Sequence, residues 1–158
     1  MTGSPQVVAL RCGAASFGIP IDKVREIVMV PDITPVPDSG PYVLGIISLR
    51  GRILPVIDLA LRLALGPGPR ERTGRILVVE QDGQHLVGLL VDEAAEVLRI
   101  PEGMFGPPPE LAAGSGAGAI ARVARLDDRL LLLLDLDRVL GREQLGALPD
   151  SGRELPGN

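Results

Sequence analysis

The sequence contains few side chains that could perform chemistry. Cys12 is its one thiol and His85 its one imidazole. A nucleophilic thiol needs a base beside it, but the hairpin segments around these two residues place them near opposite ends. One cysteine and one histidine are also too few for the usual zinc ligand sets. We therefore predict no catalytic residue, no metal site and no cofactor.

Carboxylates are the other candidates for chemistry. Asp58 and Asp135 each close an apolar run with the dipeptide Asp-Leu, so they occupy equivalent places in two similar segments. Paired carboxylates in one pocket would indicate acid-base catalysis. An aspartate directly after a strand is also a good N-cap, because its oxygen accepts a hydrogen bond from a free backbone amide. We interpret both residues as caps and predict that the chain is not an enzyme.

Composition narrows the class of protein further. The 158 residues are long enough for one domain with a hydrophobic core, and 46% of them are hydrophobic. Apolar runs such as Leu130 to Leu134 are much shorter than the roughly 18 residues that span a bilayer. Residues 1–9 lack the features of a secretory signal. We expect a cytoplasmic protein without direct membrane insertion.

Charge and aromatic content argue against nucleic acid as a partner. The formal net charge is −4, and the aromatic residues are Phe17, Tyr42 and Phe105. An acidic chain gains little from a phosphate backbone, and three aromatic rings offer few surfaces for base stacking. A barrel-type nucleic-acid-binding module remains a remote alternative.

The frequent glycines and prolines of the chain predict an all-β fold. Its 20 glycines and 15 prolines divide it into short apolar runs, as in barrels and sandwiches. Asp82-Gly83 is a hairpin signal, Asp22 and Asp92 precede possible helical turns, and a final helix is predicted from Asp135 through Leu136, Val139, Leu140 and Leu145. The predicted strands are 7–12, 16–21, 27–30, 44–49, 53–57, 76–80, 85–91, 97–100, 119–126 and 130–134.

An internal repeat organises these strands. Residues 7–31 align with 77–101 at a constant offset of 70, and six of the 25 positions are identical. The segment 53–59 similarly resembles 130–136. Self-similarity at a fixed offset indicates repeated structural units, so we predict two related small barrels side by side.

Three segments carry a specific pattern: 17–27 (FGIPIDKVREI), 42–59 (YVLGIISLRGRILPVIDL), and 87–92 (VGLLVD) with Glu96-Val97. Together they resemble the CheW family of bacterial chemotaxis coupling proteins. The resemblance extends from about Gln6 to Leu145. It implies two SH3-like five-stranded β-barrels arranged as a pseudo-repeat, sharing a hydrophobic interface, with a short C-terminal helix. We expect a single domain at 6–146, divided into two intertwined subdomains near 66–74, and a flexible tail at 147–158.

The resemblance also implies a function. Members of this family couple proteins: one surface binds the regulatory domain of a CheA-type histidine kinase, and another binds the cytoplasmic tip of a methyl-accepting chemoreceptor. A coupling scaffold needs no cofactor or small-molecule substrate. An adaptor of another chemosensory pathway, serving gliding, pilus motility or development, is the alternative that the sequence leaves open.

Matching positions suggest which residues form the partner interface. Arg50-Gly51 matches the family's Arg-Gly turn, which is associated with partner binding. At several positions a structural role is the alternative to partner contact. A glycine can serve tight packing or positive φ, and an exposed arginine can be an ordinary solvated charge. The residues expected at the interface are Val24, Glu26, Ile27, Gly45, Arg50, Gly51, Gly88 and Val91.

Two residues depart from the family pattern. Ser48 stands where the family usually has asparagine, so a side-chain amide that could brace the Arg-Gly turn is replaced by a hydroxyl. Ala60 stands where an arginine is common, which removes a surface charge. These departures put the fine geometry of the turn in doubt, while the rest of the match is intact.

Overall fold

The protein consists of two β-sheets, as the sequence predicts. The computed structural model describes residues 4–66, 74–81, 85–108 and 117–141. Within these ranges the strands are β1 Gln6–Cys12, β2 Ala15–Pro20, β3 Val24–Met29, β4 Val43–Leu49, β5 Arg52–Asp58, β6 Arg75–Gln81, β7 His85–Val91, β8 Glu93–Arg99, β9 Phe105–Gly106, β10 Ile120–Arg125 and β11 Leu130–Leu134. Two short α-helices, α1 Leu59–Arg62 and α2 Leu136–Val139, come after β5 and β11.

Each sheet combines strands from both halves of the chain. Sheet 1 has the order β8-β1-β2-β11-β10-β9, and sheet 2 has the order β3-β6-β7-β5-β4. The sequence repeat relates the strands of one sheet to those of the other in the same order. However, the β1–β2 hairpin of the first repeat pairs with strands of the second repeat, β8 and β11, in sheet 1. The β6–β7 hairpin of the second repeat pairs with strands of the first repeat, β3 and β5, in sheet 2. The hairpins have therefore been exchanged between the two repeats.

This exchange corrects the predicted division near 66–74. Both α1 and β6 flank that segment and both belong with sheet 2, so the boundary between the sheets lies elsewhere. The chain passes from sheet 1 to sheet 2 after Pro20 and returns after Val91. Sheet 2 has the five strands expected, whereas sheet 1 has six, because the two-residue β9 pairs with β10.

The segment after β3 covers the outer edge of β4. Thr34 and Ile46 form an isolated antiparallel bridge, with reciprocal N–H···O distances of 2.9 and 2.8 Å. This bridge therefore pairs part of the outer edge of β4, one of the two edge strands of sheet 2.

Among the residues that the structure describes, buried apolar side chains form three clusters. One lies on sheet 1 and includes Ala124 and Leu131, and one lies on sheet 2 and includes Ile47 and Leu54. The third and largest takes residues from both sheets and from both helices. The two faces of β6 contribute to different clusters. Ile76 and Val78 face the sheet 2 cluster, while Leu77 and Val79 face the shared one. The predicted hydrophobic interface between the two units is thus present.

The aspartate caps are partly as predicted. Asp58 accepts a hydrogen bond from the amide of Leu61 at 3.2 Å, and Asp135 accepts one from Asp137 at 3.1 Å, so both cap the helices that follow. Asp22 lies inside a 3₁₀ turn, Ile21–Lys23, instead of capping it. No helical turn follows Asp92, because β8 begins at the next residue and the Asp92 carboxylate accepts from the Gly13 amide.

Some predicted features lie outside the described residues. These are the Asp82-Gly83 turn, the helical residue Leu145 and the tail 147–158. The strands on either side of the turn do pair, since Gln81 stands opposite His85 in an antiparallel register. Among the described helices, none has the length and apolar character needed to cross a membrane.

Candidate protein-binding surface

The most distinctive local geometry is the turn that joins β4 to β5. Leu49 pairs with Arg52, so the turn has two central residues, Arg50 and Gly51. Their φ angles are +53° and +81°, and positive φ at both positions is the geometry of a type I′ hairpin turn. Glycine adopts it freely, whereas for an arginine it costs on the order of 1 kcal/mol. The turn therefore holds Arg50 in a backbone conformation that its side chain disfavours.

The Arg50 guanidinium is exposed but has a partner. Its side chain is 71% exposed and forms an ion pair with the carboxylate of Glu26 on β3, whose side chain is 29% exposed. The hydrogen bond from Arg50 to Glu26 raises the pKa of Arg50 further above its usual value. Two residues that the sequence predicts at the interface are thus brought together from opposite edges of sheet 2, and the pair points the guanidinium in a defined direction.

Edge strand β3 also carries exposed apolar side chains, on the face opposite to Glu26. Ile27 is 43% exposed and Met29 is 68% exposed, although both are large and hydrophobic. Ile27 stands opposite Leu77 of the shared core, so it projects from the face of β3 that looks toward sheet 1. Met29 was missed by the sequence analysis. Its position two residues after Ile27, on the same face of an edge strand, was the available signal.

The second repeat carries a similar arrangement on β8. Glu96 forms an ion pair with Arg129 at 3.4 Å, and the next residue, Val97, is 51% exposed. The repeat alignment equates Glu96-Val97 with Glu26-Ile27. It could not indicate Arg129, because the offset that aligns the two Asp-Leu segments equates Arg129 with Arg52 instead of Arg50.

The predicted glycines in sheet 2 have structural roles. A Cβ atom on Gly45 would lie 2.1 Å from the carbonyl oxygen of Thr34, and the residue has a φ of +152°. Gly45 therefore permits the Thr34–Ile46 bridge. A Cβ on Gly51 would meet nothing within 4 Å, so its positive φ is the constraint there. Val24 is half-buried and packs against the shared core.

Gly88 and Val91 are not on the surface. Both are buried in β7, with Val91 at 0% exposure. A Cβ on Gly88 would approach Cγ2 of Ile76 to 2.8 Å. The expectation that these two residues contact a partner directly is therefore corrected. Gly88 makes room for Ile76 and Val56 of the sheet 2 cluster, and Val91 packs in the shared core. Ile27, Met29 and Val97 supply the exposed apolar surface instead.

The thiol and imidazole do not form an activated pair. Cys12 is buried, and desolvation, with a smaller contribution from the charge of Asp92, raises its pKa to about 12. A reactive cysteine needs a lowered pKa, so Cys12 is a neutral core residue. Within the described ranges no three histidine, cysteine or acidic side chains come together in a group that could hold a metal ion.

Both the sequence and the fold match those of known proteins. Residues 6–144 match the family model described as CheW-like domain. Among curated proteins, the chemotaxis protein CheW of Rhizobium meliloti is 34% identical, covering 90% of this chain and 91% of that protein. CheW of Bacillus subtilis is 32% identical, covering 94% and 95%. The crystal structure of the scaffolding protein TtCheW from Thermoanaerobacter tengcongensis superposes with a TM-score of 0.80, at 30% identity, covering 98% and 99% of the two chains.

Proposed function

The chain belongs to the CheW-like domain family, and we propose that it is a non-enzymatic coupling scaffold of a chemosensory array. In this role it links the regulatory domain of a CheA-type histidine kinase to the cytoplasmic tip of a methyl-accepting chemoreceptor. Its place of action is the cytoplasmic side of the membrane, where it associates with membranes through the receptors. Curated relatives named for chemotaxis, and a structural relative named as a scaffolding protein, support this assignment.

The Arg50 turn is the observation that carries the kinase-binding part of the proposal. Arg50 is exposed, ion-paired to Glu26 and held at positive φ. Strained backbone persists where the surrounding structure enforces it and is concentrated at functional sites. Arginine is also enriched among the residues that dominate protein interfaces. We assign the surface formed by Arg50 and Glu26, here named the Arg50 surface, to the kinase.

The exposed apolar residues support a separate surface for the receptor. Ile27 and Val97 stand opposite Leu77 and Val8, which belong to the shared core, so both side chains lie at the margin between the sheets. An amphipathic helix binds by laying apolar residues spaced three or four apart into such a margin. We name this apolar margin, formed by Ile27, Met29 and Val97, the inter-sheet margin, and assign it to the receptor helix.

The proposal is tested by measuring binding to two purified partners from the same organism. One is the regulatory domain of the chemotaxis histidine kinase and the other is a cytoplasmic fragment of a chemoreceptor. Arg50→Glu is expected to weaken kinase binding by about thirtyfold, corresponding to about 2 kcal/mol for a hot-spot arginine. Receptor binding is expected to stay near the wild-type value. Circular dichroism checks that the variant is folded.

Two control variants separate contact from other effects. Glu26→Gln removes the ion pair but leaves the Arg50 side chain, so kinase binding should fall much less than with Arg50→Glu. Arg122→Glu reverses an exposed arginine on sheet 1, which contacts Phe105 and Glu102, and should leave both affinities unchanged. Unchanged kinase binding by Arg50→Glu would remove Arg50 from the site. Failure of the wild-type protein to bind either partner would reject the coupling function.

A further inference from the structure

A buried arginine joins the two helices. Arg62 of α1 is 2% exposed. Its Nε donates to the carbonyl oxygen of Val139 at 3.1 Å, and its Nη2 donates to that of Arg138 at 2.9 Å. The next carbonyl, that of Leu140, accepts from Nε2 of Gln81 at 3.1 Å. Three successive carbonyls at the end of α2 are therefore held by side chains of α1 and β6.

These hydrogen bonds link the two sheets. Helix α2 follows β11 of sheet 1, whereas α1 follows β5 of sheet 2 and Gln81 ends β6 of sheet 2. The rest of the contact between the sheets is largely apolar packing in the shared core. Apolar burial is non-directional, while hydrogen bonds from a planar guanidinium require a defined distance and angle. The bonds of Arg62 can therefore fix an orientation that packing alone leaves less well defined.

The internal repeat shows that the fold does not demand an arginine here. The offset that aligns Asp58-Leu59 with Asp135-Leu136 places Val139 at the position equivalent to Arg62. Val139 is fully buried, so an apolar side chain fits the equivalent environment. Burial of the Arg62 guanidinium lowers its pKa, an effect opposed in part by Tyr42. A buried polar group that carries this desolvation penalty is often kept because it specifies one arrangement among several.

We propose that Arg62 is a positioning residue that sets the orientation of sheet 1 relative to sheet 2, and through it the placement of Ile27 and Val97 along the inter-sheet margin. The second part of this statement rests on the proposed function. Arg62 would control affinity for the receptor helix, which contacts both sheets. It would not control kinase binding at the Arg50 surface, which belongs to sheet 2 alone.

The orientation is measured directly with spin labels on the full chain. Ser48 on β4 and Ala121 on β10 are both exposed and lie in different sheets, so Ser48→Cys and Ala121→Cys supply the two attachment sites. The buried Cys12 should stay unlabelled. In this background, Arg62→Met is expected to shift or broaden the label-to-label distance distribution. Arg62→Lys, which keeps one cation and part of the donor set, should restore it in part, and Arg122→Met should leave it unchanged.

Binding then tests the functional consequence. Arg62→Met is expected to weaken the receptor fragment about tenfold, a typical coupling effect, with kinase affinity within about twofold of wild type. An unaltered distance distribution in Arg62→Met overturns the positioning role, as does an equal loss of both affinities. If Arg62→Met does not fold, Arg62→Lys is compared with wild type by the same criteria. If the wild-type protein binds neither partner, the proposed function fails, but the distance measurement still decides the positioning role.

Discussion

At the scale of single residues, Arg50 combines features that stability alone would not favour. It occupies the first central position of a type I′-like turn, with φ of +53°, where asparagine or glycine is preferred. Its ion pair with Glu26 is exposed, and exposed ion pairs contribute little to stability. The backbone conformation of Arg50 costs free energy, and its exposed ion pair recovers little of that cost. Contact with a partner explains why an arginine stands at this position.

This explanation predicts opposite effects on stability and binding. Asn tolerates positive φ better than Arg, so Arg50→Asn should relieve part of the backbone strain and raise the free energy of unfolding by up to about 1 kcal/mol. Kinase binding should fall as it does for Arg50→Glu. Urea denaturation followed by circular dichroism measures the first effect, and titration with the kinase domain measures the second. A variant that is less stable than wild type would show that the ion pair with Glu26 outweighs the backbone strain.

The sequence identified Arg50 and its turn because both are encoded locally. A two-residue turn between apolar strands is readable from the order of residue types. The partner of Arg50 was less accessible, since Glu26 lies 24 residues away and only folding brings the two edge strands of sheet 2 together. Burial was harder to predict: Gly88 and Val91 were expected at an interface, but an apolar strand does not reveal that both of its faces are covered, one by the sheet 2 cluster and the other by the shared core.

At the scale of elements, the bridge between Thr34 and Ile46 determines how sheet 2 ends. Strand β4 has a shift in register between Val43 and Gly45, opposite β5. Gly45 leaves room there for the Thr34 carbonyl, which accepts from the amide of Ile46. Without this contact the outer edge of β4 would be open, and an open edge can pair with other chains.

Replacing Gly45 should therefore destabilise the protein strongly. Gly45→Ala places a Cβ 2.1 Å from a backbone oxygen at positive φ, so we expect a loss of about 3 kcal/mol or more in the free energy of unfolding. Gly106→Ala is the matched control, because Gly106 also lies in a strand but its Cβ would meet nothing within 4 Å. Urea denaturation compares the two variants. Equal, small effects would mean that the segment around Thr34 moves aside at little cost.

The helices were predicted from capping, and this prediction is confirmed for both aspartates. Each described α-helix has only four residues, too few to be stable alone. They persist because each cap accepts a hydrogen bond from a free amide of the first turn. Their apolar residues are also buried in the shared core: Leu59, Leu63, Leu136 and Val139. The hydrogen bonds from Arg62 to α2 could not be anticipated from the sequence, since donor and acceptors are 76 and 77 positions apart.

At the scale of the whole molecule, the exchanged hairpins make the two repeats dependent on each other. Sheet 1 needs β1 and β2 from the first half, and sheet 2 needs β6 and β7 from the second. Each half of the chain alone would lack two central strands of the sheet that it mainly forms. The repeats therefore do not correspond to two independent folding units.

Dividing the chain tests this dependence. Fragments 1–66 and 67–158 should each be largely unfolded alone, because each would expose the apolar surface that the exchanged hairpin covers. Mixing them should restore the β-sheet circular dichroism signal and slow the exchange of amide hydrogens in β6 and β7. A fragment that folds cooperatively by itself would show that one sheet is stable without the exchanged hairpin.

The sequence by itself determined the local features of this protein: the strand segments, the caps at Asp58 and Asp135, the Arg50 turn, the repeat and the family. These depend on residue types within a few positions of one another. The tertiary structure alone decided which hairpin joins which sheet, because the two repeats have the same apolar pattern and either pairing satisfies it. It also decided that Gly88 and Val91 are buried, that Arg129 meets Glu96 and that Arg62 holds α2, because each of these depends on segments brought together by folding.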